Sequence, residues 1–398
     1  MAGKNLRSAN RLKTMIDWAA QIIFWTSTVA LVYVYAGYPL LVWLVSRVYP
    51  RAVAKAAFEP NVTVIITAYN EEKDIRVKLE NTLQIAYPKE KLEILVVSDC
   101  SNDKTDEIVE SFAADGVKLC RQPERHGKTM AQNAAVSRAN GEIILFSDAT
   151  TMYRTDVLTQ MLPSFADQTV GCVAGRLIYV DDSSSNVGTG AKSYWSYETF
   201  LKKSESRACS LIGASGCLYA VRRAVYQPMY AEACSDFLIA TVIYEQGLRT
   251  IYEPNAVCTE ETNRRADKEM RMRVRVISQT FTDLWRNRRM MNPFRSGFFA
   301  VELVSHKLLR YAVPVFLLSI FASTLALAFS DKIFAAVFAL QIIFYAMAFG
   351  GWFLESNGVN LGILAIPLYF VLANLASLIG FYKFLRGERY ASWEPIRT

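Results

Sequence analysis

The chain has 398 residues, 52% of them hydrophobic and 12% aromatic, with a formal net charge of +7. That apolar share is high for a purely soluble protein, so membrane segments are to be sought first. Two histidines and seven cysteines with no C-x-x-C spacing exclude a zinc framework and a disulfide scaffold, and scattered thiols fit a reducing compartment.

No charged residue falls between Asp17 and Arg47, so residues 22–44 are expected to cross a hydrocarbon core of roughly 30 Å as one helix. No small-residue cleavage site follows, and a retained helix is expected rather than a secretory signal. The stretch 47–310 mixes charge with short apolar runs, none reaching the roughly 18 residues of a span. Three uncharged segments then close the chain, at 311–330, 333–354 and 357–382. The expected organisation is an N-terminal segment with one transmembrane helix over 1–50, a soluble domain over 51–292, and an interfacial helix with about three transmembrane helices over 293–398. No intramembrane charge interrupts the spans, which speaks against a transporter. The basic cluster Arg286, Arg288, Arg289, Arg295, Lys307 and Arg310 sits just before the second span. It explains the positive charge as membrane-adjacent, and no nucleic-acid partner is expected.

Within the soluble domain, β-branched and apolar runs at 62–67, 92–98, 116–121 and 142–146 alternate with helical spacing at 71–85, 105–114 and 128–139. This rhythm predicts an α/β fold whose mostly parallel sheet carries helices on both faces and binds ligands beyond the carboxyl ends of its strands. Three polar clusters stand at those ends: Thr67-Ala68-Tyr69-Asn70-Glu71-Glu72, Ser98-Asp99-Cys100-Ser101-Asn102-Asp103 and Ser147-Asp148-Ala149-Thr150-Thr151. A nucleotide diphosphate needs hydrogen-bond partners for its base and ribose and a cation to offset the pyrophosphate. Asp99 suits the first task and Asp148 the second. Each aspartate alone is also an ordinary helix cap or turn residue; it is their recurrence at successive strand ends that points to a site. Lys128 follows a glycine that frees the backbone, and Gly213-Ala214-Ser215-Gly216-Cys217 is a small-residue turn that lets backbone approach a ligand. Asp236 stands in the N-cap position of an apolar helix.

In this order and spacing the segments resemble the inverting glycosyltransferases of family 2, with the GT-A nucleotide-sugar fold, and in particular the membrane-bound bacterial polysaccharide-synthase-like branch. The motifs carrying the resemblance are residues 64–72, Val96-Val97-Ser98-Asp99 with Asn102 and Asp103, Arg125-His126-Gly127-Lys128 with Asn133, and Phe146-Ser147-Asp148-Ala149 where that family has D-x-D. The resemblance implies that Thr67, Ala68, Tyr69, Asn70 and Glu71 frame the nucleotide, that Asp99 pairs with the base, commonly uracil, and that Lys128, Asn133, Ser147, Asp148 and Ala149 lie near the donor. Ser215 and Gly216 would lie beneath the donor sugar. It implies a divalent metal, Mg²⁺ or Mn²⁺, at Asp148, although Thr150 replaces the last aspartate of D-x-D and a hydroxyl is the poorer ligand. Asp236 matches the aspartate of the family's E-D motif, the general base, with Ser235 in place of the Glu. Where processive members carry Q-x-x-R-W only Arg275 matches, and the missing Trp leaves processivity open.

The expected function is inverting transfer of a sugar from a nucleotide diphosphate, a UDP-sugar, to a glycan acceptor, by a domain on the cytosolic face of a bacterial inner membrane. Two alternatives stay open: a lipid-linked acceptor of the polyprenyl-phosphate type, and a catalytically silent nucleotide-sugar-binding partner, to which Thr150 and the degraded Q-x-x-R-W point. A cytosolic domain followed by three spans puts the C-terminus outside, against Lys383, Arg386 and Arg389. Two readings stay open: a simple four-span chain with its C-terminus outside, or a last segment interrupted at Pro367 as a re-entrant or in-plane element that returns the terminus inside.

Overall fold

The computed structural model describes residues 2–180, 187–261, 266–357, 359 and 361–390. Its centre is an eight-stranded mixed sheet of β1 Val62–Ala68, β2 Leu92–Ser98, β3 Val117–Arg121, β4 Ile143–Asp148, β5 Met152–Tyr153, β6 Val170–Val180, β7 Tyr219–Arg222 and β8 Arg249–Glu261. The order across the sheet is β3-β2-β1-β4-β7-β6-β8-β5. The half β3-β2-β1-β4 is parallel, as the strand–helix alternation predicts. Beyond β4 the pattern departs: β7 runs antiparallel to both β4 and β6, and β5 is antiparallel to β8. The alternation stops at β4, so the second half of the sheet is reached by long connections that carry no periodic signal.

Every residue of β1 is buried. Val62, Val64, Ile66 and Ala68 pack into one core with Leu79 and Val109, whereas Ile65 joins Val97, Ile144 and Phe146 on the opposite face. Burial on both faces is why these strands read as continuous apolar runs. Register decides where the polar ends fall: Ala68 stands opposite Ser98 and Thr67 opposite Asp148, so three chain reversals open on one edge.

Four helices are long and apolar enough to cross a membrane: Leu12–Val48, Phe298–Leu327, Lys332–Ser356 and Gly362–Leu385. Ile333, Leu340, Ile343, Phe349, Trp352 and Phe353 of the third are all exposed, a surface that water would not tolerate and lipid would. Two helices contain a π-helical segment, Tyr33–Gly37 and Val304–Leu309; the two segments pack together, with the Tyr33 hydroxyl and Ser305 Oγ hydrogen-bonded at 2.9 Å. Pro367 does not interrupt the last span. It lies in the first turn of the helix Ala365–Leu385, where a missing N–H costs nothing. Lys383 after it pairs with Glu388 at 3.2 Å.

A basic amphipathic helix, Ala266–Arg286, packs against the last span. Phe281 anchors it, with ring centroids 5.0 Å from Phe381 and 5.5 Å from Tyr311. This contact ties the sheet domain to the membrane helices and fixes which face of the amphipathic helix looks into the cleft.

Candidate active site

The loops after β1 and β2 are laced to each other. Asn70 N–H donates to Ser101 Oγ at 3.1 Å, Asn102 N–H to Asn70 Oδ1 at 2.8 Å, and Glu71 N–H to Thr105 Oγ1 at 2.7 Å. Asn70 and Cys100 adopt left-handed φ of 54° and 61°, conformations a non-glycine residue holds only where neighbours impose them. The Tyr69 ring carries the Arg125 guanidinium over its face at 3.8 Å, and the buried Thr67 hydroxyl lacks a hydrogen-bond partner among the described residues.

Asp99 is closed to solvent. Its two oxygens accept the backbone N–H groups of His126, at 2.9 Å, and Gly127, at 2.8 Å. In this state it clamps the loop leading to the helix Lys128–Arg138 and presents no free carboxylate. Gly127 has φ 89°, a backbone that side chains resist, and it is this turn that aims Lys128 inward.

Lys128 is the hub. Its ammonium forms an ion pair with Asp148 Oδ1 and lies 3.5 Å from the carbonyl of Gly216. Burial lowers its pKa, but the charges of Asp148 and of Asp236 outweigh that and hold it above the usual lysine value. Gly216 in turn backs onto Asp236: a Cβ there would stand 2.9 Å from Asp236 Oδ2. Asp236 lies in the first turn of the helix Ser235–Glu245, two positions further in than its sequence position suggests, because Cys234 is the N-cap. The helix N-terminus favours its negative charge, and Cys234 Sγ donates to Asp236 Oδ1 at 3.1 Å. Arg275 faces the same space. Burial lowers its pKa, against the opposing pull of Cys234, Asp148 and Asp236.

Of the other residues singled out in the sequence, Ser215 receives the Lys202 ammonium at 2.8 Å, and Ser147 and Ala149 are buried beside Asp148. Asn133 is not brought to the cleft. Its amide donates to Met229 O at 2.7 Å and accepts from the Tyr226 hydroxyl and Met229 N–H, so it fixes residues 226–229. Three contributors had no motif to announce them. Buried Lys78 donates to Thr151 O at 2.5 Å and sits 3.5 Å from the Tyr153 ring centroid, bracing the turn after Asp148. Asp283 accepts the Tyr230 hydroxyl and, at 3.0 Å, the Cys234 N–H, fixing the entry to the helix that bears Asp236. Burial pushes the Asp283 carboxyl up to about 7 despite those hydrogen bonds. Glu260, at the end of β8, accepts from the Thr150 hydroxyl at 3.3 Å; burial first, and then the charge of Asp148, push it up to about 7. The signal that could have found it was the missing acid at Thr150.

Among the described residues no three of His, Cys, Asp and Glu form a metal cage. Asp148 and Thr150 offer oxygen donors only, and Asp148 Oδ2 has no hydrogen-bond or ion-pair partner among the described residues. Such a donor set fits a hard divalent cation that draws most of its ligands from substrate phosphates.

Comparison with known proteins agrees with this geometry. Residues 63–229 match the family model described as Glycosyl transferase family 2. Glycosyltransferase AglE of Haloferax volcanii is 32% identical over 146 residues, which cover 36% of this chain and 47% of that protein. Poly-beta-1,6-N-acetyl-D-glucosamine synthase of Staphylococcus aureus is 28% identical over 204 residues, covering 50% of this chain and 49% of the synthase. The chain thus spans less than half the length of these curated relatives. A mannosyltransferase from Pyrobaculum calidifontis, solved with GDP-Man and Mn²⁺, superposes with a TM-score of 0.69 at 25% identity, covering 92% of this chain and 99% of that one. Its sheet, its cleft and these matches together place a glycosyl transferase family 2 domain of the GT-A fold at residues 63–229, in a chain that also carries four helices able to span a membrane.

Proposed function

We propose that the chain is an inverting glycosyltransferase working at the cytosolic face of a membrane, moving a hexose from a nucleoside diphosphate to an acceptor hydroxyl on a growing glycan. The observation that carries this reading is the convergence of Asp148 and Asp236, from separate segments, around the single ammonium of Lys128.

In the proposed reaction the acceptor oxygen attacks the anomeric carbon, the bond from that carbon to the diphosphate oxygen breaks, and the diphosphate leaves with the electron pair. Asp236 takes the acceptor's proton as the new bond forms, which asks for reach more than for an unusual pKa. Lys128 and Arg275 stand where negative charge grows on the leaving group and stabilise it there. Asp148 and Thr150 would hold a divalent cation, which when bound neutralises diphosphate charge. Asp99 acts through its clamp on Gly127, keeping Lys128 aimed at the cleft.

A second reading is favoured by Lys202, whose buried ammonium rests on Ser215 beneath the same cleft and feels the charge of Asp236. A cation there suits an acceptor that brings its own negative charge, such as a polyprenyl phosphate. A phosphate acceptor is already ionised and needs no base, so one experiment separates the two. The purified protein is assayed with Mn²⁺ against UDP- and GDP-sugars and both acceptor types, and release of nucleoside diphosphate is followed for wild type and Asp236→Asn. Loss of turnover in the variant supports the glycan reading. Undiminished turnover on a lipid phosphate replaces it with the second, and no turnover on any donor removes both.

A further inference from the structure

Resting on that nucleotide-sugar reading, we infer that Glu260 is the second carboxylate of the cation site, supplying from the end of β8 the acid that Thr150 does not supply from the loop. The fold brings it there: β5 pairs with β8 in the register Met152 opposite Thr259, which lays the last residues of β8 beside the turn that follows Asp148. The Thr150 hydroxyl donates to Glu260 Oε1 at 3.3 Å, so loop and strand already share an oxygen cluster. Among the described residues the Glu260 carboxylate forms no ion pair and accepts no side-chain hydrogen bond other than this one. Lys128, the nearby ammonium, is committed to Asp148.

Charge makes the case stronger. Asp148 and Glu260 bring two carboxyl groups to one turn before any donor arrives. A diphosphate adds more of the same sign, and like charges in a partly desolvated cleft repel strongly unless a multivalent cation sits between them. Two carboxylates with substrate phosphates form the kind of oxygen shell that Mg²⁺ and Mn²⁺ accept. The residue at position 150 fits this division of labour. An aspartate there would set a second like charge against Glu260, whereas threonine donates to it and orients it. The acid has moved from the loop to the strand.

The test reads metal directly, on the full chain in detergent. Free Mn²⁺ is followed by its paramagnetic resonance signal as protein is titrated in the presence of GDP or of UDP. Glu260→Gln is expected to weaken Mn²⁺ binding at least tenfold with an unchanged melting temperature. Thr150→Asp combined with Glu260→Gln returns the carboxylate to the loop and is expected to restore affinity to within about threefold of wild type. Wild-type affinity in Glu260→Gln overturns the assignment and leaves the transferase reading standing, as does failure of the double variant to regain Mn²⁺ while folded. A wild-type protein that binds no Mn²⁺ with either nucleotide removes the metal from both.

Discussion

Two charge clusters, one half-buried in the cleft and one buried at the junction with the membrane helices, are built differently. In the cleft, Asp148, Asp236 and Glu260 share the space with Lys128 and Arg275, and among the described residues Asp148 Oδ2 has no partner. At the junction with the membrane helices, Glu205 accepts the Tyr38 hydroxyl at 2.5 Å and contacts His306 Nδ1 at 2.6 Å, while Glu198 pairs with Arg310 and lies 3.5 Å from His306 Nε2. Those two carboxylates are matched by donors from two separate helices, Leu12–Val48 and Phe298–Leu327, while the neighbouring buried Glu302 finds no side-chain partner among the described residues. Buried charge without compensation is expensive, so a cluster that closes on itself holds structure together, and one left open is waiting for a ligand. The contrast predicts that substitutions at the junction act on stability and substitutions in the cleft act on rate.

The largest expected effect is therefore at the junction. Arg310→Met leaves Glu198 buried beside a histidine alone and should destabilise the protein by about 3–5 kcal/mol, the usual result of removing one partner of a buried pair. Thermal unfolding in detergent measures this, and turnover per folded molecule should be unchanged. A drop in turnover at intact stability would show that the junction belongs to the site. Asp236→Asn is the converse. It keeps shape and should lower turnover roughly 10²-fold or more, with the melting temperature unmoved. Equal losses of stability and rate there would erase the distinction.

The sequence showed the open cluster better than the closed one, for a physical reason. Strand ends are legible because an apolar run stops at a turn, and Asp99 and Asp148 stand within a residue of such a stop, whereas Lys128 is legible from the glycine before its helix. Asp236 was legible from its helix start and its resemblance to a family motif. Glu260 was not, since it closes the longest strand of the sheet, and only the β5–β8 pairing carries it to Asp148. Asn133 is the converse case. Its place in a recognisable segment suggested the donor, and the fold spends it on residues 226–229. The antiparallel entry of β7 and the junction network share this dependence on contacts far apart in sequence, which no local period records.

Lys78 sharpens the comparison through pH, because it is a lone cation buried beneath the open cluster. Burial lowers its pKa to about 7 from 10.5, with Cys258 and Asp148 pulling the other way. A base whose folded value is depressed binds fewer protons folded than unfolded between those limits. Its contribution is therefore complete above 10.5 and is lost as pH falls toward 7, so stability rises with pH across that window. The slope contributed is about 1.4 kcal/mol per pH unit at most. Subtracting the pH–stability profile of Lys78→Met from that of the wild type should isolate it; identical profiles would mean that Lys78 titrates normally.

Gly216→Ala is the finest probe, because it touches the cleft without touching a charge. The added methyl meets no backbone obstacle from a left-handed φ, and its nearest heavy atom is Asp236 Oδ2 at 2.9 Å, the far end of a side chain that can swing aside. The unfolded chain loses a little freedom, so stability should hold or rise by a few tenths of a kcal/mol. The displaced carboxylate, in contrast, no longer reaches the acceptor proton in its best position, and turnover should fall about threefold to tenfold at unchanged affinity for Mn²⁺ with nucleotide. If turnover is unaffected, Asp236 works from a position other than the one packed on Gly216. If stability falls instead, this wall of the cleft is as closed as the junction, and the open-against-closed contrast has to be redrawn with Gly216 on the structural side.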